Sequence, residues 1–354
     1  MERYLGLDAH SRSCTLAVMG SSGKRLKCLV VETNGHALVE AVQSIPGRRH
    51  LCLEEGTQSA WLYELLRPHV DELVVTVPSK RKGERKDDER DAWSRANELR
   101  TGAIETRVYK APQHLAALRS AVRAHGFAVR DVVRAKNRLK AAFLSRGVVT
   151  DSTVHDTKRR EAWLKQLPTV HRRLAEWLGR ELDQLEPLRQ EAEDWLLQES
   201  KAHPIIRKLA TAPGMGPIRT AQVVAIVGSP ERFRTRRQFW SYSGFGVVTR
   251  SSADWVPGPG RGEWKRAQVR QTRGLTRKRN PLLKSVFKGA ATTLIQHLPN
   301  DPLHADYQRL LESGRKPNLA KLTLARRIAA MVLSMWKHQE VYDPKRIKAA
   351  TVKA

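Results

Sequence analysis

The chain has 354 residues, of which 64 are Lys or Arg and 36 are Asp or Glu, so its formal net charge at pH 7 is +28. An excess of positive charge on this scale indicates a polyanionic partner, and nucleic acid is the obvious one. Hydrophobic residues make up 40% of the chain, which excludes a disordered basic tail, and there is no run of about 18 apolar residues to cross a membrane.

The three cysteines, Cys14, Cys28 and Cys52, have neither the spacing of a zinc site nor the number needed for a disulfide framework. Residues 1–5 lead directly into a strand-like segment without the apolar region of a secretory signal. We therefore expect a cytoplasmic protein of two to three domains, at about 100–200 residues each.

The first third of the chain predicts a mixed α/β sheet. Three short apolar segments joined by turn residues predict an antiparallel meander, and strand-like and helix-like segments then alternate as far as Pro112. This order is typical of a sheet with helices on its faces. The predicted strands are residues 4–8, 14–18, 26–31, 51–53 and 73–77, and the predicted helices are residues 35–44 and 60–66.

The middle of the chain, residues 113–200, predicts two long helices. The first has apolar residues at heptad spacing, interrupted by His125 and Lys136, and the second has a similar series between Leu178 and Leu196. A coiled-coil or helical-hairpin insert and an ordinary helix bundle both fit this pattern. The first helix also carries a basic face of Arg119, Arg123, Arg130, Arg134, Lys136, Arg138 and Lys140.

The last segment, residues 201–345, predicts a mostly helical domain that contains a glycine-rich turn. Residues 213–217 resemble a helix–hairpin–helix turn, in which Gly214 and Gly216 would let backbone N–H groups approach a DNA phosphate. The alternative is a tight connection between two helices without a ligand. Further helix patterns cover residues 281–294 and 319–336.

Four acidic residues in the first third are candidate metal ligands. Asp8 and Glu54 end predicted strands, and Asp88 and Asp91 are three residues apart, on one face of a helix. Carboxylate oxygens are the ligands that Mg²⁺ prefers, and a pair of such ions about 3.5–4 Å apart can cleave a phosphodiester. Solvated acidic residues would give the same pattern, and Glu55 is an alternative to Glu54 on the opposite strand face.

A strongly basic stretch follows in residues 256–288, with ten Lys or Arg and one acidic residue, Glu263. Trp255 and Trp264 are interleaved with the cations, a composition typical of nucleic-acid surfaces. Ser251 and Ser252 precede this stretch, and a serine pair in a loop is ordinarily turn chemistry. The candidate nucleic-acid-binding residues here are Arg250, Arg261, Lys265, Arg266, Arg270, Arg273, Arg277 and Lys278.

Together these motifs resemble the DEDD-type insertion-sequence transposases of the IS-one-ten group. The resemblance covers nearly the whole chain, and it implies an RNase H-like (RuvC-like) catalytic domain in residues 1–112. A helical coiled-coil insert in 113–200 and a C-terminal transposase domain in 201–345 would follow. The motifs are YLGLD at 4–8, LCLEE at 51–55, KDDERDA at 86–92, APGMGP at 212–217, RQFWSYSGF at 237–245 and RKRN at 277–280.

The resemblance implies a recombinase that moves its own element. Asp8, Glu54, Asp88 and Asp91 would bind Mg²⁺, and Ser252 would join covalently to a DNA phosphate. The implied partners are double-stranded donor and target DNA, a non-coding bridge RNA that pairs with both, and further copies of the chain in dimers and tetramers.

Three alternatives to this function stay open. Piv-type DNA invertases share both domains, a RuvC-like junction nuclease would use the acids without Ser252, and a non-catalytic nucleic-acid-binding protein would need neither. Ala253 stands where the family usually has Gly, so Ser251 also stays open as the nucleophile.

Overall fold

The computed structural model describes residues 1–78, 87–250, 255–260, 262–266 and 271–346. The chain divides into two compact units, Met1–Gln113 and His114–Ala354. The further division of the second unit into an insert and a C-terminal domain stays a prediction.

The first unit contains a five-stranded mixed sheet in the order β3-β2-β1-β4-β5. The first three strands form the predicted antiparallel meander, and β4 and β5 extend it in parallel with β1. The mixed α/β architecture is therefore confirmed. The strands are β1 (Glu2–Ala9), β2 (Ser13–Gly20), β3 (Arg25–Glu32), β4 (Arg48–Glu54) and β5 (Glu72–Thr76).

Three helices cover the two faces of this sheet. They are α1 (Gly35–Gln43), α2 (Ser59–Leu66) and α3 (Asp88–Thr101). Because side chains alternate along a strand, Leu5 and Leu7 of β1 join the core formed with α1 and α2. The opposite face packs Ala17 and Met19 of β2 against α3. Asp87 caps α3 by accepting hydrogen bonds from the backbone N–H groups of the first turn.

The second unit begins with a helical hairpin. It consists of α4 (Ala116–Leu144), α5 (Thr157–Leu164) and α6 (Thr169–Ser200), which confirms the two predicted long helices and adds α5. The pairs Arg138–Glu181 and Lys136–Glu186 show that α4 and α6 run antiparallel. His125 also lies 3.8 Å from the Glu193 carboxylate, so both polar residues of the heptad series face an acidic residue.

The remaining helices pack around one large core that includes Leu324 and Ile328. Helix α11 and the four short strands β6–β9 were not predicted from the sequence. Among the described residues, no helix is both long and apolar enough to cross a membrane. The elements are α7 (Pro204–Ala210), α8 (Pro217–Val227), α9 (Arg236–Tyr242), β6 (Val247–Arg250), β7 (Trp255–Pro257), β8 (Trp264–Arg266), β9 (Gln271–Leu275), α10 (Pro281–His297), α11 (Pro302–Glu312) and α12 (Pro317–His338).

A buried ion pair fixes α5 to α6. The guanidinium of Arg160 lies 2.7 Å from Asp183, donates to the backbone oxygens of Val154 and His155, and is only 6% exposed. Gly179 leaves the space for it, since a Cβ there would lie 2.7 Å from Arg160 Nη1. The hydrogen bonds from Arg160 hold the pKa of the Asp183 carboxyl below its ordinary value.

Replacing Asp183 by Ala should therefore destabilise the chain by about 3–5 kcal/mol at pH 7, because a buried cation loses its partner. Because the pKa of Asp183 is lower in the folded chain than in the unfolded chain, its carboxylate stabilises the fold at pH values above the unfolded-state pKa of about 3.9. This stabilisation is lost as the pH falls through the folded-state pKa. The difference from wild type should thus shrink below about pH 4. Denaturant unfolding across this pH range measures both effects.

The matched control is Asp131→Ala, which removes the partner of the exposed Arg134 on the same hairpin. We expect this change to cost less than about 1 kcal/mol. Equal losses in the two variants would contradict a structural role for the buried pair.

Candidate active site

The position of α3 on the sheet is set by a contact between two backbones. A Cβ at Gly6 of β1 would lie 1.9 Å from the carbonyl oxygen of Ala92 and 2.7 Å from the backbone nitrogen of Ala96. Only glycine in the strand and small residues in the helix permit this approach. Gly6 and Asp8 share one face of β1, so the contact brings the first turn of α3 towards Asp8.

Asp8, His10 and Asp88 form a compact group at this edge of the sheet. His10 Nε2 lies 3.0 Å from Asp8 Oδ2 and 3.1 Å from Asp88 Oδ1, and one potential ligand atom from each residue falls within 4.8 Å of the others. Asp8 is nearly buried, whereas the Asp88 side chain is about half exposed at 49%. The group therefore joins the end of β1 to the start of α3 while remaining open on the Asp88 side.

Glu54 is connected to Asp8 through a buried arginine. Arg95 lies on α3, its Nη2 is 3.4 Å from Asp8 Oδ1, and the same nitrogen forms an ion pair with Glu54 Oε2. Glu54 is the last residue of β4, which runs parallel to β1 and beside it. Adjacent parallel strands end at the same sheet edge, which explains why Glu54 and Asp8 share one cation.

Glu55 faces a different environment from Glu54. Its carboxylate forms an ion pair with the buried Lys110 and accepts a hydrogen bond of 3.0 Å from Ser59 Oγ. Lys110 also donates to Ser59 at 2.7 Å. The two consecutive glutamates thus point to different partners, and only Glu54 joins the arginine that contacts Asp8.

Asp91 lies one helical turn after Asp88 on α3 and is half-buried. It is not part of the group formed by Asp8, His10 and Asp88. The structure therefore brings Asp8 and Asp88 together, links Glu54 to Asp8 through Arg95, and leaves Asp91 on the adjacent turn.

Most of the predicted residues in the basic stretch are only partly described by the structure. Lys265, Arg277 and Lys278 are exposed. Ser251, Ser252, Arg261 and Arg270 lie outside the described residues, and only the backbone is described for Arg250, Arg266 and Arg273.

The glycine-rich turn between α7 and α8 packs inside the second unit. Gly214 has a φ of +74°, and a Cβ there would lie 2.2 Å from the carbonyl oxygen of Ala290 on α10. Its own carbonyl accepts a 2.6 Å hydrogen bond from Arg219. A tight helix connection therefore accounts for Gly214, whereas Gly216, at the start of α8, faces open space.

Sequence reasoning missed His10 and Arg95, although both have a retrospective signal. His10 follows Asp8 by two residues, the spacing of side chains on one side of an extended chain, although β1 itself ends at Ala9. Arg95 follows Asp88 by seven residues, about two helical turns, which places both on one face of α3. Neither signal identifies a partner without the tertiary structure.

Two family models match the chain. The first describes DEDD transposases of the IS110 type and matches residues 5–146. The second, the transposase IS116/IS110/IS902 family, matches residues 206–308. No curated protein matches the chain.

The fold and the matches define a DNA transposase, an enzyme class that cleaves DNA and transfers its strands. Specifically, the chain belongs to the IS110 family of insertion-sequence transposases, which confirms the resemblance drawn from its motifs.

The Gly6 contact predicts that Gly6→Ala damages the candidate site from a distance. The added methyl group meets backbone atoms that cannot rotate away, so we expect the free energy of unfolding to fall by about 1–3 kcal/mol. DNA strand transfer should fall more steeply than stability, because the shift of α3 moves Asp88 away from Asp8. Denaturant unfolding and a strand-transfer assay on the same preparation measure the two effects.

Gly56→Ala is the control, since a Cβ at Gly56 meets nothing within 4 Å. This variant should keep wild-type stability within about 0.5 kcal/mol and full activity. An active Gly6→Ala protein would show that the contact does not position the site.

Proposed function

We propose that this transposase cuts and rejoins DNA at a Mg²⁺ site made by Asp8, Glu54, Asp88 and Asp91. The observation that carries the proposal is the approach of Asp8 and Asp88 to a single nitrogen of His10, at 3.0 and 3.1 Å. The strand order β3-β2-β1-β4-β5 supports assigning the first unit to the RNase H-like type.

The donor atoms fit a hard divalent cation. Carboxylate oxygens from separate elements are the ligands that Mg²⁺ takes, together with water and substrate phosphate. Carboxylates gathered this closely repel one another, and the cation would relieve that repulsion. When bound, Mg²⁺ would stabilise the charge that develops on the phosphate oxygens during strand cleavage.

The protein residues around the acids have separate tasks in this proposal. Asp8, Glu54, Asp88 and Asp91 would hold the cation, while Arg95 keeps Glu54 and Asp8 oriented towards each other. Asp88 also lines an open groove of about 640 Å³ beside β2 and β3, which gives a DNA strand access to the acids.

Ser252 would act as the nucleophile that forms a covalent DNA link. Its Oγ forms a bond to phosphorus as one bridging P–O bond of the DNA breaks, and the serine proton ends on the released DNA hydroxyl. Attack by a DNA hydroxyl on this phosphoserine restores Ser252 and joins the new strand. Support for this role is the position of Ser252 after the RQFWSYSGF motif, and the retained phosphodiester energy suits strand exchange.

We further propose that the chain assembles into dimers and tetramers that bind donor and target DNA with a bridge RNA. Val170, Leu174 and Trp177 support an assembly surface on α6, because they follow helical spacing and are 86%, 58% and 56% exposed. The net charge of +28 supports a nucleic-acid partner.

The metal proposal predicts that Asp8→Asn and Asp88→Asn abolish strand transfer while the chain still binds DNA. Outer-shell partners of a metal typically contribute roughly 10–100-fold in affinity, so loss of a ligand should weaken Mg²⁺ binding by more than that. Calorimetric titration of the full-length chain with MgCl₂ measures the binding independently of activity.

Glu54 and Glu55 provide a matched pair within the same experiment. Glu54→Gln should weaken Mg²⁺ binding, whereas Glu55→Gln, which loses only its contacts with Lys110 and Ser59, should not. Unchanged Mg²⁺ affinity in both Asp8→Asn and Asp88→Asn would contradict the proposed site.

The nucleophile is tested by trapping the covalent adduct on labelled, nicked DNA and resolving it on a denaturing gel. Wild type and Ser251→Ala should each give a shifted protein–DNA band, because the attacking hydroxyl is intact. Ser252→Ala should bind DNA and give no band. Free DNA ends without an adduct from wild type would instead indicate a RuvC-like nuclease.

A further inference from the structure

A groove on the second unit is lined by four cations. It has a volume of about 570 Å³ and lies between the first half of α10 and the start of α12. No acidic side chain lines it, and its remaining polar side chains are hydroxyls. The residues used below are Arg279, Lys284, Ser285, Lys288, Thr292 and Lys321, and we call this the α10 groove.

Two of the cations are held in place by the packing of their stems. Gly244 has a φ of +78°, and a Cβ there would lie 2.1 Å from Cδ of Arg279 and 3.1 Å from Cδ of Lys284. The glycine of the RQFWSYSGF motif therefore makes room for both aliphatic stems. Arg279 Nη1 also donates to the backbone oxygen of Thr276 at 3.3 Å, so packing and this hydrogen bond, rather than a partner acid, direct the charged ends.

The cations of the α10 groove have no compensating negative charge in the part of the chain that the structure describes. None of Lys284, Lys288 and Lys321 forms an ion pair among those residues. Burial, together with the positive charges of Arg279 and Lys288, lowers the pKa of Lys284. Holding these like charges together costs free energy that a bound anion would recover.

The shape and lining of the groove favour a polyanion over a small molecule. Small-molecule pockets are lined mostly by apolar and aromatic side chains, whereas this groove has no aromatic side chain and, apart from Pro281 and Gly289, every residue that lines it carries a cation or a hydroxyl group. Lys284, Lys288 and Thr292 follow one another at four-residue spacing, a row about 12 Å long at about 1.5 Å per residue. A DNA strand presents a phosphate about every 3.4 Å along the axis, so the row can face several phosphates.

We propose that the α10 groove binds the phosphodiester backbone of a nucleic-acid strand, with Arg279, Lys284, Lys288 and Lys321 contacting phosphates. The proposal rests on the proposed action on nucleic acid. Arg279, Lys284 and Lys288 belong to the basic stretch predicted from the sequence, and the structure adds Lys321 of α12 to them in one groove. Contacts to phosphates alone carry no base information, so binding here should be independent of sequence.

The test is the salt dependence of binding by the full-length chain. Duplex DNA and single-stranded RNA of random sequence are titrated between about 50 and 200 mM KCl. Each phosphate contact contributes about 0.9 to the log–log slope on duplex DNA and about 0.7 on single strands. The triple variant Lys284→Gln, Lys288→Gln, Lys321→Gln should therefore flatten the slope by roughly 2.7 on duplex DNA or roughly 2.1 on RNA.

The control removes the same number of charges from exposed lysines of the hairpin and its ends, by Lys158→Gln, Lys165→Gln and Lys201→Gln. Its slope should stay near wild type. If the triple groove variant does not fold, as judged by circular dichroism, Lys321→Gln alone should flatten the slope by about 0.9 on DNA or about 0.7 on RNA.

The two probes identify the strand. Flattening with DNA alone, RNA alone or both supports the groove and names its ligand. A groove variant whose slopes match the control on both probes overturns the proposal. Asp8→Asn should leave the salt-dependence slopes of nucleic-acid binding unchanged. A failure of the proposed catalytic site would therefore appear in the Mg²⁺ titration and not in these slopes, whereas a failure of the groove proposal would appear in the slopes.

Discussion

The candidate active site depends on one contact between backbones, Gly6 of β1 against Ala92 of α3. A side chain at Gly6 would overlap the helix backbone, and Ala92 is itself fully buried, so a larger residue there would have no free space. Because α3 carries Asp88, Asp91 and Arg95 within eight residues, this single contact fixes three polar groups relative to Asp8. Glycine is unfavourable inside a strand, so its place in β1 is explained by this approach rather than by strand formation.

Charge compensation is the second requirement of the site. Asp8 and Glu54 would be costly to bury as bare anions, and Arg95 supplies a buried cation to both. Among the residues that the structure describes, Asp88 has no such buried partner; it stays half exposed, with His10 beside it. The acids are thus divided into a preorganised pair on the sheet and an accessible group at the start of the helix. This division explains how the carboxylates of the candidate site gather on the polypeptide alone, while Asp88 stays accessible to solvent.

Local sequence signals were sufficient where structure is decided locally. Apolar segments separated by turn residues predicted the meander, and heptad spacing predicted α4 and α6. The two polar residues in the heptad series of α4, His125 and Lys136, face acidic residues that no local rule could assign. Helix α11 has helical apolar spacing at Leu303, Tyr307 and Leu310, but the segment has only 11 residues. Strands β6 and β9 pair across 21 to 28 residues of sequence, and β7 and β8 have three residues each. Asp8 and Asp88 were found because acids at element ends are visible in sequence. Arg95 was not, because a buried arginine is distinguished only by partners 87 and 41 residues away along the chain.

The positive charge is not shared evenly between the two units, and its distribution suggests how they divide the work. Residues 1–113 hold 18 Lys or Arg and 16 Asp or Glu, whereas residues 201–354 hold 30 and 8, and residues 114–200, which form the hairpin, hold 16 and 12. Residues 1–113 are nearly balanced in charge and offer little long-range attraction to a polyanion, so the charge distribution favours residues 201–354 as the main source of electrostatic attraction to nucleic acid. In the hairpin, three of the seven cations predicted as a basic face on α4, Arg134, Lys136 and Arg138, form ion pairs with acidic residues of the same hairpin. A nearly balanced hairpin with an exposed apolar row on α6 therefore agrees with the assembly surface proposed above.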